Sequence, residues 1–168
     1  LASYCYYQMF YYCTSLTAAP ELSATTLAAL CCSGMFSRCT GLTTAPSILP
    51  ATTLAMNCYE GMFNRCINLT TSPELPATTL AMNCYRSMFY YCTKLNYIKM
   101  LATDISASNC LSNWVGDVAS AGTFVKHPNM TSLPTGTTPS IWFPLPWSFA
   151  PPRTYPIGNP KMSDTYAA

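Results

Sequence analysis

The sequence predicts a repeat solenoid, with one short strand and one short helix in each unit of 26 residues. Three observations carry that prediction. Met-Phe recurs at Met9-Phe10, Met35-Phe36, Met62-Phe63 and Met88-Phe89, at separations of 26, 27 and 26. Each Met has a Cys four residues before it (Cys5, Cys31, Cys58, Cys84) and another four after it (Cys13, Cys39, Cys66, Cys92). The composition is 50% hydrophobic and only 8% charged, against roughly 25% charged in an ordinary soluble domain. A unit this small cannot bury its apolar side alone, so copies must stack.

Within a unit the elements follow in order. Cys58, Met62 and Cys66 are spaced i, i+4, i+8, which puts them on one face of a short helix, and Phe63 broadens that face. Asn57 and Asn83 directly precede this run, where Asn is a good helix cap. Three residues after the second Cys comes Leu16, Leu42, Leu69 or Leu95, followed by Thr-Thr-Ala-Pro pieces such as Thr43 to Pro46. These pieces suit a strand that ends at its Pro. The extra residue of the 27-residue spacing is expected in a loop near Ile48-Leu49. Stacking at the strand-pairing distance of about 4.8 Å would line like residues into ladders, in a right-handed coil.

The register also finds a degraded fifth copy, with Cys110, Trp114, Val115 and Val118 on the Cys, Met, Phe and Cys positions. The expected organisation is a solenoid over 1–118, a capping segment over 119–138 and a tail over 139–168. Half of the 14 prolines lie in that tail, with Trp142, Phe143, Trp147 and Phe149, which reads as an extended strap available for assembly. The sequence opens inside a unit, as a processed product or a fragment would. Leu1, Cys5, Met9 and Phe10 are thereby expected to form an open edge that invites pairing.

The unit Met-Phe-x-x-Cys-x-x-Leu-x-x-Ala-Pro resembles the leucine-rich repeats of BspA-type bacterial surface proteins, in which an aromatic, a Cys and a Leu point into the core. The resemblance covers residues 1 to about 118. The segment Trp114 to Met130, with Gly122-Thr123-Phe124-Val125-Lys126, is similar to the closing segment of such proteins from gut bacteria and their phages. The resemblance implies a leucine-rich-repeat-like fold and a secreted, cell-surface or virion protein that binds or builds without catalysing. It says nothing about the tail.

Most chemistry is refused by the residues themselves. Net charge is +2 with no basic run, which argues against nucleic acid as a partner. Thr, Pro, Asn and Tyr interrupt every stretch that could approach a membrane span. The ten cysteines are expected to be buried thiols behaving as small hydrophobes. Disulfides and a soft Cu(I) ladder are the alternatives, the first disfavoured because stacked side chains would run parallel. Cys32, beside Cys31, is expected to face outward. Neither a C-x-x-C nor a second His is present, so a structural zinc site has no ligand set. His127 has no partner for general base work, and the six carboxylates share no pairing. The sequons at Asn68 and Asn129 read as chance. No enzyme, metal or cofactor is expected.

The outward-facing constellation is more informative. Three residues after each Met stand Tyr12, Arg38, Arg65 and Tyr91, and three before it stand Tyr6, Cys32, Tyr59 and Tyr85. Stacking would line each set into a strip, and Tyr and Arg are frequent interface anchors. The first expectation is therefore a recognition or adhesion module that binds a glycan, peptide or protein partner on another surface. The alternative is a structural subunit of an extracellular fibre, appendage or virion, assembled from copies of itself through the open edge and the tail.

Overall fold

The computed structural model describes residues 1–130 and the strand 147–150. Four strands, β1 (Thr71–Leu75), β2 (Tyr97–Met100), β3 (Gly122–Lys126) and β4 (Trp147–Ala150), form one sheet in chain order with every neighbour parallel. Partners lie 25 or 26 residues apart, as in Thr71 with Tyr97 and Tyr97 with Thr123. Upstream, the same pairing continues as isolated bridges, Ala18 with Thr44 and Ile48 with Glu74. A second line of bridges joins Thr26 to Thr53 and Thr79 to Asp104. The separation is 26 at Ala18–Thr44 and 27 at Thr26–Thr53. The extra residue is therefore absorbed between Thr44 and Thr53, around the predicted loop.

Pro73 lies inside β1 rather than at its end, and it has no N–H for the ladder. The register of β1 against β2 shifts there, between Thr71 and Glu74. The Ser72 hydroxyl fills the gap, donating to the Pro73 carbonyl and accepting from the Lys99 N–H. Across the same pair, the Lys99 ammonium donates to Glu74 at 2.9 Å.

The expected helices are absent: no helix occurs among the described residues, and none is long and apolar enough to cross a membrane. Each Cys–Met–Cys run is instead three successive turns. In the third copy these close through Cys58 N–H to Ala55, Met62 N–H to Tyr59 and Cys66 N–H to Phe63. Every fourth residue has positive φ, as at Asn57, Gly61 and Arg65. Those residues occupy the third position of each turn, where the type II geometry requires positive φ. The physical difference lies in where the amides go. A helix satisfies its N–H groups internally, leaving none to join copies. Here alternate N–H groups donate to the following copy, Tyr59 to Cys84, Gly61 to Arg86, Phe63 to Met88 and Arg65 to Tyr90, at 2.8 to 3.2 Å. Spacing i, i+4, i+8 is shared by both conformations. Asn57 and Asn83 are not helix caps; they are turn corners, a conformation that Asn tolerates.

The core lies between the turns and the strands. Phe10, Phe36, Phe63 and Phe89 stack with centroids 5.4, 5.5 and 5.7 Å apart and planes within 13°. Trp114 ends this stack, tilted by 56° on Phe89, and Phe124 of β3 meets its edge. Met35, Met62 and Met88 are buried, as are Leu42, Leu69 and Leu95. The backbone bond from Phe89 N–H to the Trp114 carbonyl places Trp114 on the Met position of the fifth copy. Gly41 and Gly122 sit where backbones nearly touch: an added Cβ would lie 2.3 Å from the Thr14 carbonyl and 2.2 Å from that of Asn96.

Candidate ligand-binding strip

All ten cysteines are unpaired, and eight of them are buried. The second Cys of each copy donates its thiol to the Phe carbonyl of the copy before: Cys39 to Phe10 at 2.9 Å, Cys66 to Phe36 at 3.1 Å and Cys92 to Phe63 at 3.0 Å. Burial pushes the thiols of Cys84 and Cys92 up to about 12, and those of Cys58 and Cys66 higher still. Cys32 is a correction. It is buried, with Cys31 Sγ 3.7 Å away, and the hydrogen bond shared between the two thiols together with burial pushes its thiol up. Among the described residues no three His, Cys, Asp or Glu side chains converge as metal ligands. His127 accepts the Asn129 N–H on Nδ1, and Asn68 spends its side-chain amide on the Thr40 carbonyl and its oxygen on Lys94.

Of the two expected strips, only one faces solvent. Tyr59 and Tyr85 are both buried and stacked on one another at 6.3 Å, and Tyr6 is half-buried against the core. In a helix the residue after an inward Cys would turn away. A chain that corners every fourth residue sends two consecutive side chains inward, so Cys58 and Tyr59 are buried together. Tyr59 and Tyr85 are therefore core residues, while Tyr6, with Tyr59 and Cys32 behind it, borders a separate cavity of about 170 Å³ at the first-copy end.

The other strip is exposed throughout. Tyr12, Arg38, Arg65 and Tyr91 all have positive φ, between 60° and 63°. Each donates its N–H to the next copy, to Ser37, Asn64, Tyr90 and Gly116 at 2.7 to 2.9 Å. The backbone thus fixes them as consecutive rungs. They line a shallow groove of about 220 Å³, with Thr40 and Ile67 from the next residue column but one. The Arg65 guanidinium lies 4.6 Å from the ring centre of Tyr91, and that of Arg38 lies 6.0 Å from Tyr11. Tyr90 meets Tyr91 edge-on at 4.6 Å.

Sequence reasoning missed the fifth rung. Asp117 stands three residues after Trp114, is exposed, and has φ of 56°. The repeat register already contained that signal. Of the proposed assembly residues, Trp147 and Phe149 fall in β4, whose backbone pairs with β3, while Trp142 and Phe143 lie outside the described residues. No protein-family model, curated protein or solved structure matches this chain.

Proposed function

We propose that this chain is a non-catalytic recognition module, a leucine-rich-repeat-like solenoid acting at a bacterial cell surface or on a virion. The observation that carries the reading is the line of Tyr12, Arg38, Arg65 and Tyr91, exposed on adjacent rungs around one groove. Positive φ is common to every corner column, with Gln8, Gly34, Gly61 and Ser87 in the one before it, so what distinguishes the strip is the exposed Tyr and Arg side chains it carries. The resemblance to BspA-type repeats supports the extracellular setting.

The test is binding of glycan and peptide arrays by the chain and by a variant with Tyr12, Arg38, Arg65 and Tyr91 changed to Ala. The expected result is at least a tenfold loss of binding with an unchanged circular dichroism spectrum. Binding that survives in the variant would remove the strip from the reading.

A second reading, an assembly subunit, rests on the rim at the first copy. The carbonyls of Cys5, Tyr7, Met9 and Tyr11 match those that accept inter-copy bonds elsewhere, and among the described residues no donor reaches them. A neighbouring molecule could add its own N–H groups along this row. Sedimentation distinguishes the readings: a species near 18.4 kDa at all concentrations leaves recognition alone, and concentration-dependent chains favour assembly.

A further inference from the structure

The column of Tyr6, Cys32, Tyr59 and Tyr85 lacks one ring. These residues are consecutive rungs, because their N–H groups donate in turn to Cys31, Cys58, Cys84 and Cys110, at 2.7 to 3.2 Å. Where two tyrosines hold adjacent rungs they stack, Tyr59 on Tyr85 at 6.3 Å with planes 17° apart. Between Tyr6 and Tyr59 the intervening rung carries Cys32, whose side chain has no ring. Stacked rings prefer centroids about 4.5–7 Å apart, so a gap of two rungs holds one ring and not two. Tyr6, Cys32 and Tyr59 line the cavity of about 170 Å³, together with Leu22, Leu27 and Glu21. An apolar cavity of about 150 Å³ is enough to take benzene. Cys32 and Tyr59 are buried, Leu22 and Leu27 half-buried and Glu21 exposed, so the space runs from the core to the surface.

We infer that this cavity binds a small phenol, whose ring takes the place of the tyrosine missing from the second copy. Its two faces meet Tyr6 and Tyr59, as Tyr85 meets Tyr59 one rung further on. The inner wall is apolar apart from the Cys32 thiol, which its bond with Cys31 and burial keep neutral, so nothing there rewards a charge. The ligand hydroxyl belongs at the mouth, where the Glu21 carboxylate accepts it. That carboxylate is held in place by Ser47, whose N–H and hydroxyl donate to it at 2.8 and 2.9 Å. It disfavours an anionic ring such as benzoate, and a fused pair of rings exceeds the single rung.

The experiment is calorimetric titration of the chain with phenol, cyclohexanol, benzoate and 2-naphthol. Phenol should bind saturably, with a midpoint at or below about 1 mM. The other three should bind at least fivefold more weakly, for want of aromatic faces, for their charge and for their size. Cys32→Tyr supplies the ring covalently and should abolish phenol binding without lowering the melting temperature. Should that variant fail to fold, Cys32→Met fills the slot with a flexible chain and should weaken phenol binding at least fivefold. Cys32→Ala keeps the slot open and should retain binding, as should Arg86→Ala, which lies away from the cavity. Phenol binding unchanged in Cys32→Tyr or Cys32→Met overturns the inference, since the ligand then sits elsewhere. Cyclohexanol or 2-naphthol binding as tightly as phenol overturns it as well, and so does an absence of phenol binding. None of these outcomes bears on Tyr12, Arg38, Arg65 and Tyr91, which stand on a different column.

Discussion

At Cys66 the thiol performs a task that neither a disulfide nor a metal explains. It donates to the Phe36 carbonyl, which already accepts the Cys39 N–H, so one oxygen joins two copies. Cys39 and Cys92 repeat the arrangement. A buried thiol held this way resists ionisation, which has a consequence for stability. The ordinary thiol pKa is 9.0, and burial raises Cys84 and Cys92 in the folded chain to about 12. With the folded value above the unfolded one, the stabilising contribution is complete below pH 9. It is lost between pH 9 and 12 as the unfolded thiols ionise first. Each such thiol removes about 1.4 kcal/mol per pH unit in that window. The melting temperature is therefore expected to fall steeply from pH 9 to 10.5, and less steeply in a Cys84→Val, Cys92→Val variant. Equal slopes in the two proteins would show that the thiols are not responsible.

The four-residue turn is the element whose identity the pattern left ambiguous. Cys, Met and Cys at spacing four imply one buried face, and that face is present, but a helix and a run of turns produce the same spacing. The discriminating signal was the residue before the Met, where Gly34 and Gly61 stand, together with Asn57, Asn83 and Asn109 at the first corner. Asn and Gly at five of these corners suit positive φ and weaken a helix. The strand side was legible only in part: Thr44, Thr53 and Thr79 pair as single bridges, and the strand expected to end at its Pro runs through Pro73 in β1. Glycine substitutions test the corners. At Gly61 an added Cβ meets only Asn64 Cβ at 3.9 Å, so Gly61→Ala should cost about 1–2 kcal/mol through backbone conformation alone. Gly41→Ala should cost more, since its Cβ would collide with the Thr14 carbonyl. Urea unfolding measures both, and a neutral Gly61→Ala would argue against a left-handed corner.

Across the whole molecule, each copy is stabilised mainly by its two neighbours, so position in the stack should govern the effect of a substitution. Register made the ladder of Tyr12, Arg38, Arg65 and Tyr91 readable in the sequence. It misplaced Tyr59 and Tyr85 because burial of adjacent residues depends on the corner geometry, which no spacing reveals. The Met column allows a direct comparison, since Met9 and Met62 hold the same place in their copies. Met9 is 58% exposed at the rim, whereas Met62 is fully buried between two neighbours. Met62→Ala leaves a cavity that both flanking copies must tolerate, at a cost of about 2–5 kcal/mol. Met9→Ala removes atoms that already face solvent, and its cost should stay within about 0.5 kcal/mol. Denaturant midpoints of the two variants measure the difference. A Met9→Ala cost as large as that of Met62→Ala would mean that something covers the first copy in solution. The carbonyl row of Cys5, Tyr7, Met9 and Tyr11 would then be a contact surface, and the assembly reading would gain over recognition.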